Sequence, residues 1–231
     1  MVLLAFETSA KAASVALFRD EVLLGESYQN TGLTHSQTLM VMAEDMLKQC
    51  SLSPREVTHV AVAAGPGSFT GVRIGVAAAK GFAWANGLPC YGVSTLESMA
   101  LGLGAYEGIV CPVMDARREQ VYNALFKAER GRLTRLTEDR AISLVDLGRE
   151  LAQWDAPIFL VGDGSLVAER GLQGQKLQLV LPVNGRMHQR AVGVAYAVLA
   201  HPDAPCDAAS LQPNYLRLSQ AEREKLERQQ C

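Results

Sequence analysis

Apolar residues run almost unbroken through VLLAFE (2–7), ASVALF (13–18) and EVLLGESY (21–28), separated by short polar turns that include Lys-Ala and Arg-Asp. This pattern predicts three strands in an antiparallel meander. The period then changes: Leu39, Met42, Ala43, Met46, Leu47 and Cys50 recur at helical spacing, after Thr34 or Ser36 as a cap and before Ser-Leu-Ser-Pro as a stop. VTHVAVAA (57–64) returns to a buried strand, GPGSFTG is its exit loop, and VRIGVAAAKGFAWAN (72–86) is a second helix closed by Gly87 and Pro89. PCYGVS (89–94) predicts a fifth strand, followed by a helix from about Leu96.

The opening pattern returns further on. Placing Glu7 over Asp115 sets FETSAKAASVALFR on MDARREQVYNALFK, so that acid meets acid, Ala-Leu-Phe meets Ala-Leu-Phe and Arg19 meets Lys127. Two amphipathic hairpins can share that much by coincidence, but the offset is close to half the chain and favours a duplicated βββαβα unit. The expected division is a first lobe at 1–106, a second at 107–218 and a charged tail at 219–231. The last helix either stays with the second lobe or returns to the first. An α/β chain of two such lobes, with an acid closing the first strand, has the plan of the actin-like superfamily. That ribonuclease H-like group includes sugar kinases and the Hsp70 ATPases, and its first hairpin faces nucleotide phosphates. The matching residues are Glu7, Thr8 and Ser9, and in the second half Asp115, followed by Ala116 and Arg117 instead of hydroxyls.

GPGSFTGVRIG (65–75) invites a phosphate-loop reading that its details do not support. A Walker A loop needs Lys and then Ser or Thr after its last glycine, and here Val72 and Arg73 follow Gly71. Gly65, Gly67 and Gly71 have one residue too many for a dinucleotide fingerprint, and Pro66 removes an amide that would face an anion. Two readings stand. One is a packed strand-to-helix turn with Ser68 or Thr70 as cap. The other is a weak anion site drawing on Gly67, Ser68, Thr70, Arg73 and the helix N-terminus.

The helix after this loop is apolar nearly all round. Val72, Val76, Ala79 and Ala83 fall on one side and Ile74, Ala78, Phe82 and Ala85 toward another, with Arg73 and Lys80 as its charges before Asn86. A helix covering one sheet needs a single apolar stripe, so the second stripe must meet either the neighbouring helix or another protein.

Composition narrows the setting. In 231 residues, 48% hydrophobic and 20% charged, there is room for two lobes and no bias toward disorder. A net charge of −2 gives no general attraction to a polyanion, so tight unaided binding to nucleic acid is not expected. MVLLAFETSA lacks a basic leader and its apolar run stops at Glu7, so neither a signal peptide nor a membrane anchor is expected, and the cytoplasm is the expected location. The five cysteines, Cys50, Cys90, Cys111, Cys206 and Cys231, form no CxxC pair and read as reduced residues, mostly small core positions. No GxSxG elbow is present, and no cysteine has a His in a nucleophile context. Asp115, Arg117 and Arg118 read as a turn salt bridge or a polar cluster in a cleft. Trp84 and Trp154 are too isolated for base stacking.

FETS, the His35 helix, GPGSFTGVRIG, GVSTLESMA (92–100), MDARREQVY (114–122) and PNYLR (213–217), in that order, closely resemble the TsaB (YeaZ) family. GPGSFTGVRIG and DAR-x-x-x-VY are the specific elements. The resemblance implies a non-catalytic subunit that binds and activates TsaD in making threonylcarbamoyladenosine at position 37 of tRNA, with TsaE as a further partner and tRNA met only through the complex. It implies an interface along 35–48 and 71–85: His35, Leu39, Met40, Met42, Ala43, Met46 and Leu47 on the first helix, then Gly71, Arg73, Ile74, Gly75, Ala78 and Phe82 on the second. The same surface would form a homodimer when the chain is alone. The family's first strand commonly ends in Asp-Thr, whereas this chain has Glu7-Thr8. TsaD-like proteins pair two histidines one turn apart on the first helix to hold a metal. Here Leu39 stands where the second would be, so neither a metal nor a cofactor is expected. An ATP-binding small-molecule kinase is the alternative, and a glycoprotease-like metallopeptidase the weakest reading.

Overall fold

The computed structural model describes residues 1–104, 106–117, 119–182 and 188–217. The charged tail at 219–231, with Cys231, and Arg118 lie outside the described residues. In the first half, β1 (Val2–Glu7), β2 (Ala13–Arg19) and β3 (Val22–Gln29) form the meander. Then come α1 (His35–Gln49), β4 (His59–Gly65), α2 (Phe69–Asn86), β5 (Cys90–Ser94) and α3 (Thr95–Leu103). The strands pair in the order β3-β2-β1-β4-β5, with β4 and β5 parallel to β1.

The second half follows a related order with five strands before its first helix: β6 (Gly108–Asp115), β7 (Gln120–Asn123), β8 (Phe126–Glu129), β9 (Arg132–Arg135) and β10 (Arg140–Ser143). They are followed by α4 (Leu144–Leu151), β11 (Ile158–Val161), α5 (Ser165–Gly171), β12 (Leu179–Val180) and α6 (Ala191–Ala200). In the first hairpin Glu7 lies opposite Ser14, and in the second Asp115 lies opposite Val121, so the second loop is one residue shorter. β7 and β8 continue one register along β6, broken where the Leu125 amide turns away to donate to Thr137 Oγ1 at 2.8 Å.

Helices on both faces explain why β1 and β4 read as continuous apolar runs rather than alternating ones. Leu4, Phe6, Val60 and Val62 pack with Leu39, Met46, Val72 and Val76 of α1 and α2. Leu3, Ala5, Ala61 and Ala63 turn to the other face and pack with Ala191, Val194, Ala195 and Val198 of α6. The last helix therefore crosses back to cover the first sheet, and its Ala191 amide is tied to Ser14 Oγ at 3.1 Å.

Beyond α6 the chain runs on along the first half. Cys206 bridges Cys90, Lys80 Nζ donates to the carbonyls of Ala209 and Leu211, and the Asn214 amide donates to Ala64 O at 2.6 Å. Tyr215 stacks on Phe69 at 4.7 Å. Helix boundaries differ from the sequence reading in one informative place. α2 begins at Phe69 rather than Val72, because Ser68 caps it by accepting from the Gly71 amide, and Phe-Thr-Gly forms its first turn. Thr34 does precede α1, but its side chain makes no capping bond.

Candidate functional site

A cleft of about 520 Å³ opens between the two sheets, walled by Ser9, Pro66 to Thr70, Met114 to Arg117, Asp163 and the 214–217 segment. Two turns of the same kind border it. Gly65-Pro66-Gly67-Ser68 leads from β4 into α2, and Gly162-Asp163-Gly164-Ser165 leads from β11 into α5. Both first glycines hold positive φ, 125° and 112°. A side chain on Gly67 would meet the backbone of Ser9, and one on Gly164 would meet Met114 and Asp115, so each turn rests on the end of its own sheet's first strand.

Of the residues expected to face a phosphate, Ser9, Gly67, Ser68, Thr70 and Asp115 do line the cleft. Glu7 and Thr8 do not. Both are fully buried behind the glycine turn: Thr8 Oγ1 donates to Gly71 O at 2.7 Å, and Glu7 Oε1 accepts the Ser9 amide at 2.5 Å. Burial pushes the Glu7 carboxyl up to about 7, and the Asp163 charge adds to that rise. Glu7 Oε2 and Ser9 Oγ have no hydrogen-bond partner among the described residues.

Asp115 is open to solvent and accepts the Arg117 amide at 2.7 Å. Asp163 stands across from it, exposed along the wall, held by Gln189 Nε2 at 3.0 Å and pushed above the ordinary carboxylate range by the protein atoms around its carboxyl. The sequence reading missed Asp163. Its signal was the echo of Gly-Pro-Gly-Ser in Gly-Asp-Gly-Ser, which the hairpin alignment could not reveal because the intervening segments differ in length.

A second surface lies on the outer side of α1 and α2, which sit side by side on one face of the first sheet. Here the expected interface list divides. Leu39, Met42, Ala43, Met46 and Leu47 are buried against the sheet, and Gly71 and Gly75 press on Thr8. Their stripe is the one that any sheet-covering helix needs. Met40 and Arg73 are exposed, while Ile74, Ala78, Phe82 and His35 are half-buried. The sequence list omitted Val41 and Trp84, which are 55% and 70% exposed, and the exposed small residues Ala77 and Gly81 on α2. Arg73 lies over the Phe69 ring at 4.8 Å, linking this outer face to Tyr215 and the cleft.

His35 is engaged by the chain itself, with Nε2 2.8 Å from Ala10 O at the tip of the first hairpin. No group of His, Cys, Asp and Glu among the described residues could hold a metal ion.

The profile of the family described as "TsaD: tRNA N6-adenosine threonylcarbamoyltransferase" matches residues 29–152. Over its whole length the chain matches something narrower: it is 33% identical to the tRNA threonylcarbamoyladenosine biosynthesis protein TsaB of Bacillus subtilis, covering 99% of this chain and 100% of that one. The chain belongs to the TsaB family. The TsaB of Escherichia coli is also 33% identical, over 79% of this chain and 82% of its own. The solved structure of YeaZ from Pseudomonas aeruginosa superposes with a TM-score of 0.77 at 28% identity, covering 93% of this chain and 99% of that one. TsaB membership and the strand order together make the fold a mixed α/β, actin-like one.

Proposed function

We propose that this TsaB-family chain is a non-catalytic subunit in the synthesis of threonylcarbamoyladenosine on tRNA, docking through the outer face of α1 and α2 onto a TsaD-type transferase. The observation that carries the docking reading is the exposed apolar surface of α2. Trp84 stands out beside the small residues Ala77, Gly81 and Ala85, with Met40 and Val41 exposed on neighbouring α1. A large aromatic anchor ringed by small residues suits a helix-on-helix contact. TsaE joins the pair, tRNA is met through the complex, and the same face supports self-pairing when the chain is alone. The setting is the cytoplasm, and no described helix is long and apolar enough to cross a membrane.

The cleft supports the non-catalytic part of the reading. Glu7 and Thr8, which an actin-like ATPase would turn toward metal and phosphate, are used here to pack the first hairpin beneath α2. Co-elution with TsaD tests the docking face. Trp84→Glu and Ala77→Arg should abolish the complex while leaving the melting temperature within a few degrees, and Val145→Arg on α4 should leave it intact. A complex that survives both α2 changes overturns the assignment. Calorimetry with ATP and Mg²⁺ should give no micromolar binding to the isolated chain, and such binding would favour the kinase reading instead.

A further inference from the structure

Cys90 and Cys206 stand opposite one another where the segment after α6 meets the edge of the first sheet. Each backbone amide donates to the other's carbonyl at 2.8 Å, making an isolated antiparallel bridge. Residues that exchange both bonds have Cα atoms about 5.5 Å apart. That lies within the ~4.4–6.8 Å that a disulfide spans. Directly paired residues also point to the same side of a sheet, and both cysteines pack into the one apolar cluster beneath α2. Both are free thiols. The other described cysteines are poorly placed to compete. Cys50 ends α1 near Gly25 of β3, at the opposite edge of the sheet, and Cys111 lies in the core of the second half.

Access is unequal. Cys90 is fully buried. Cys206 is half-buried and, with Trp84, Pro89 and Ala208, lines a surface hollow of about 510 Å³ through which a small oxidant can reach it.

We propose that Cys90 and Cys206 form a reversible disulfide site that fastens the 206–217 segment to β5. With a hydroperoxide as oxidant, the Cys206 thiolate attacks the terminal oxygen and the O–O bond breaks. The released alkoxide or hydroxide leaves with a proton, and Cys206 becomes a sulfenic acid. The Cys90 sulfur then attacks Cys206, the S–S bond forms, and the hydroxyl departs as water with the Cys90 proton. Two electrons pass from the sulfurs to the peroxide oxygens, and no further reactant is needed. Directly opposed Cβ atoms lie ~4.5–5.5 Å apart, beyond the ~3.8 Å mean of a relaxed disulfide. Cys90 is held in the β4–β5 ladder while Cys206 belongs to no strand, so Cys206 is the side that can be drawn inward, and the strain keeps the bond easily reduced. Burial pushes the Cys90 thiol up to about 11 and raises Cys206 as well, so the pair answers sustained oxidant rather than brief exposure.

The test uses the full chain treated with hydrogen peroxide, then alkylated and peptide-mapped without reductant. The expected result is one linked peptide pair containing Cys90 and Cys206, an intact mass lower by two hydrogens, and recovery with dithiothreitol. Amide exchange over 207–214 should slow about tenfold in the oxidised protein, because opening of the segment is then restrained. Cys206→Ser, at a half-exposed position, should fold, form no link and leave Cys90 open to alkylation after unfolding. Links that join Cys206 to Cys50, Cys111 or Cys231, a Cys206 sulfinic acid beside free Cys90, or unchanged exchange after the link forms would each overturn the proposal.

Discussion

The two glycine turns that border the cleft share a positive-φ first glycine and a Gly-x-Gly-Ser sequence, and they have opposite chemistry. Gly65-Pro66-Gly67-Ser68 closes over a buried acid, whereas Gly162-Asp163-Gly164-Ser165 carries its own acid outward and lies beside an exposed one. In the first turn, Thr8 and Glu7 spend their hydrogen bonds on the Gly71 carbonyl and the Ser9 amide. In the second, Asp115 faces solvent and Asp163 lines the cleft with its carboxyl partly enclosed, with the Arg117 amide and Gln189 as their neighbours. A glycine-rich strand-to-helix turn is therefore not in itself a phosphate cradle. What decides is whether the polar groups under it can reach the cleft: in the first lobe Thr8 bonds Gly71, and the Glu7 carboxylate, one oxygen bonded to the Ser9 amide and the other without a partner among the described residues, is sealed behind the turn.

That contrast can be broken most sharply at Gly71. A side chain there would collide with the Thr8 carbonyl, so Gly71→Val should destabilise the protein by about 4 kcal/mol in urea unfolding. A cost within 1 kcal/mol of zero would mean that the first turn is as open as the second.

The next effect concerns the buried acid. Below its ordinary value of 4.5, Glu7 is protonated whether the chain is folded or not. Between there and about 7 the unfolded chain ionises freely while burial resists ionisation in the fold. Stability should therefore fall as pH rises through this window, by about 3 kcal/mol in all, and stay low above it. Glu7→Gln should remove that slope in melting curves taken from pH 4.5 to 8, and Asp115→Asn should leave it in place.

Smaller still is the effect of Lys80→Met, which removes the ammonium from the carbonyls of Ala209 and Leu211 and should cost about 1–2 kcal/mol. Its hydrogen-exchange signature should concentrate in 206–217. Smallest is Asp163→Asn. Because the Asp163 charge only adds to a rise dominated by burial, this change should shift the Glu7 midpoint slightly downward, and an upward shift would contradict the placement of the two acids.

The sequence was most legible where burial follows a simple period. β1, β2 and β4 are sandwiched between helices and read as apolar runs, and α1 showed its stripe at the helical spacing. Leu39, Met46 and Leu47 are regular apolar positions because they face the chain's own sheet. Exposed apolar residues appear instead as departures from the pattern, such as Val41 on the polar side of α1 and Trp84 among small residues of α2. The path of the 206–217 segment along the first half went unread for another reason. Several of the contacts that fix its course run through backbone carbonyls and amides, at Ala209, Leu211 and Asn214, and residue type does not report those.

The return of α6 to the first sheet sets an order of events during synthesis. Leu3, Ala5, Ala61 and Ala63 emerge from the ribosome long before Val194 and Val198, the residues that cover them. Until α6 has been made, the nascent amino-terminal half carries one bare greasy side and cannot finish folding by itself. Ribosome-bound chains stopped before codon 191 should remain protease-sensitive across β1 and β4, and release of the carboxyl-terminal quarter should lock both halves together.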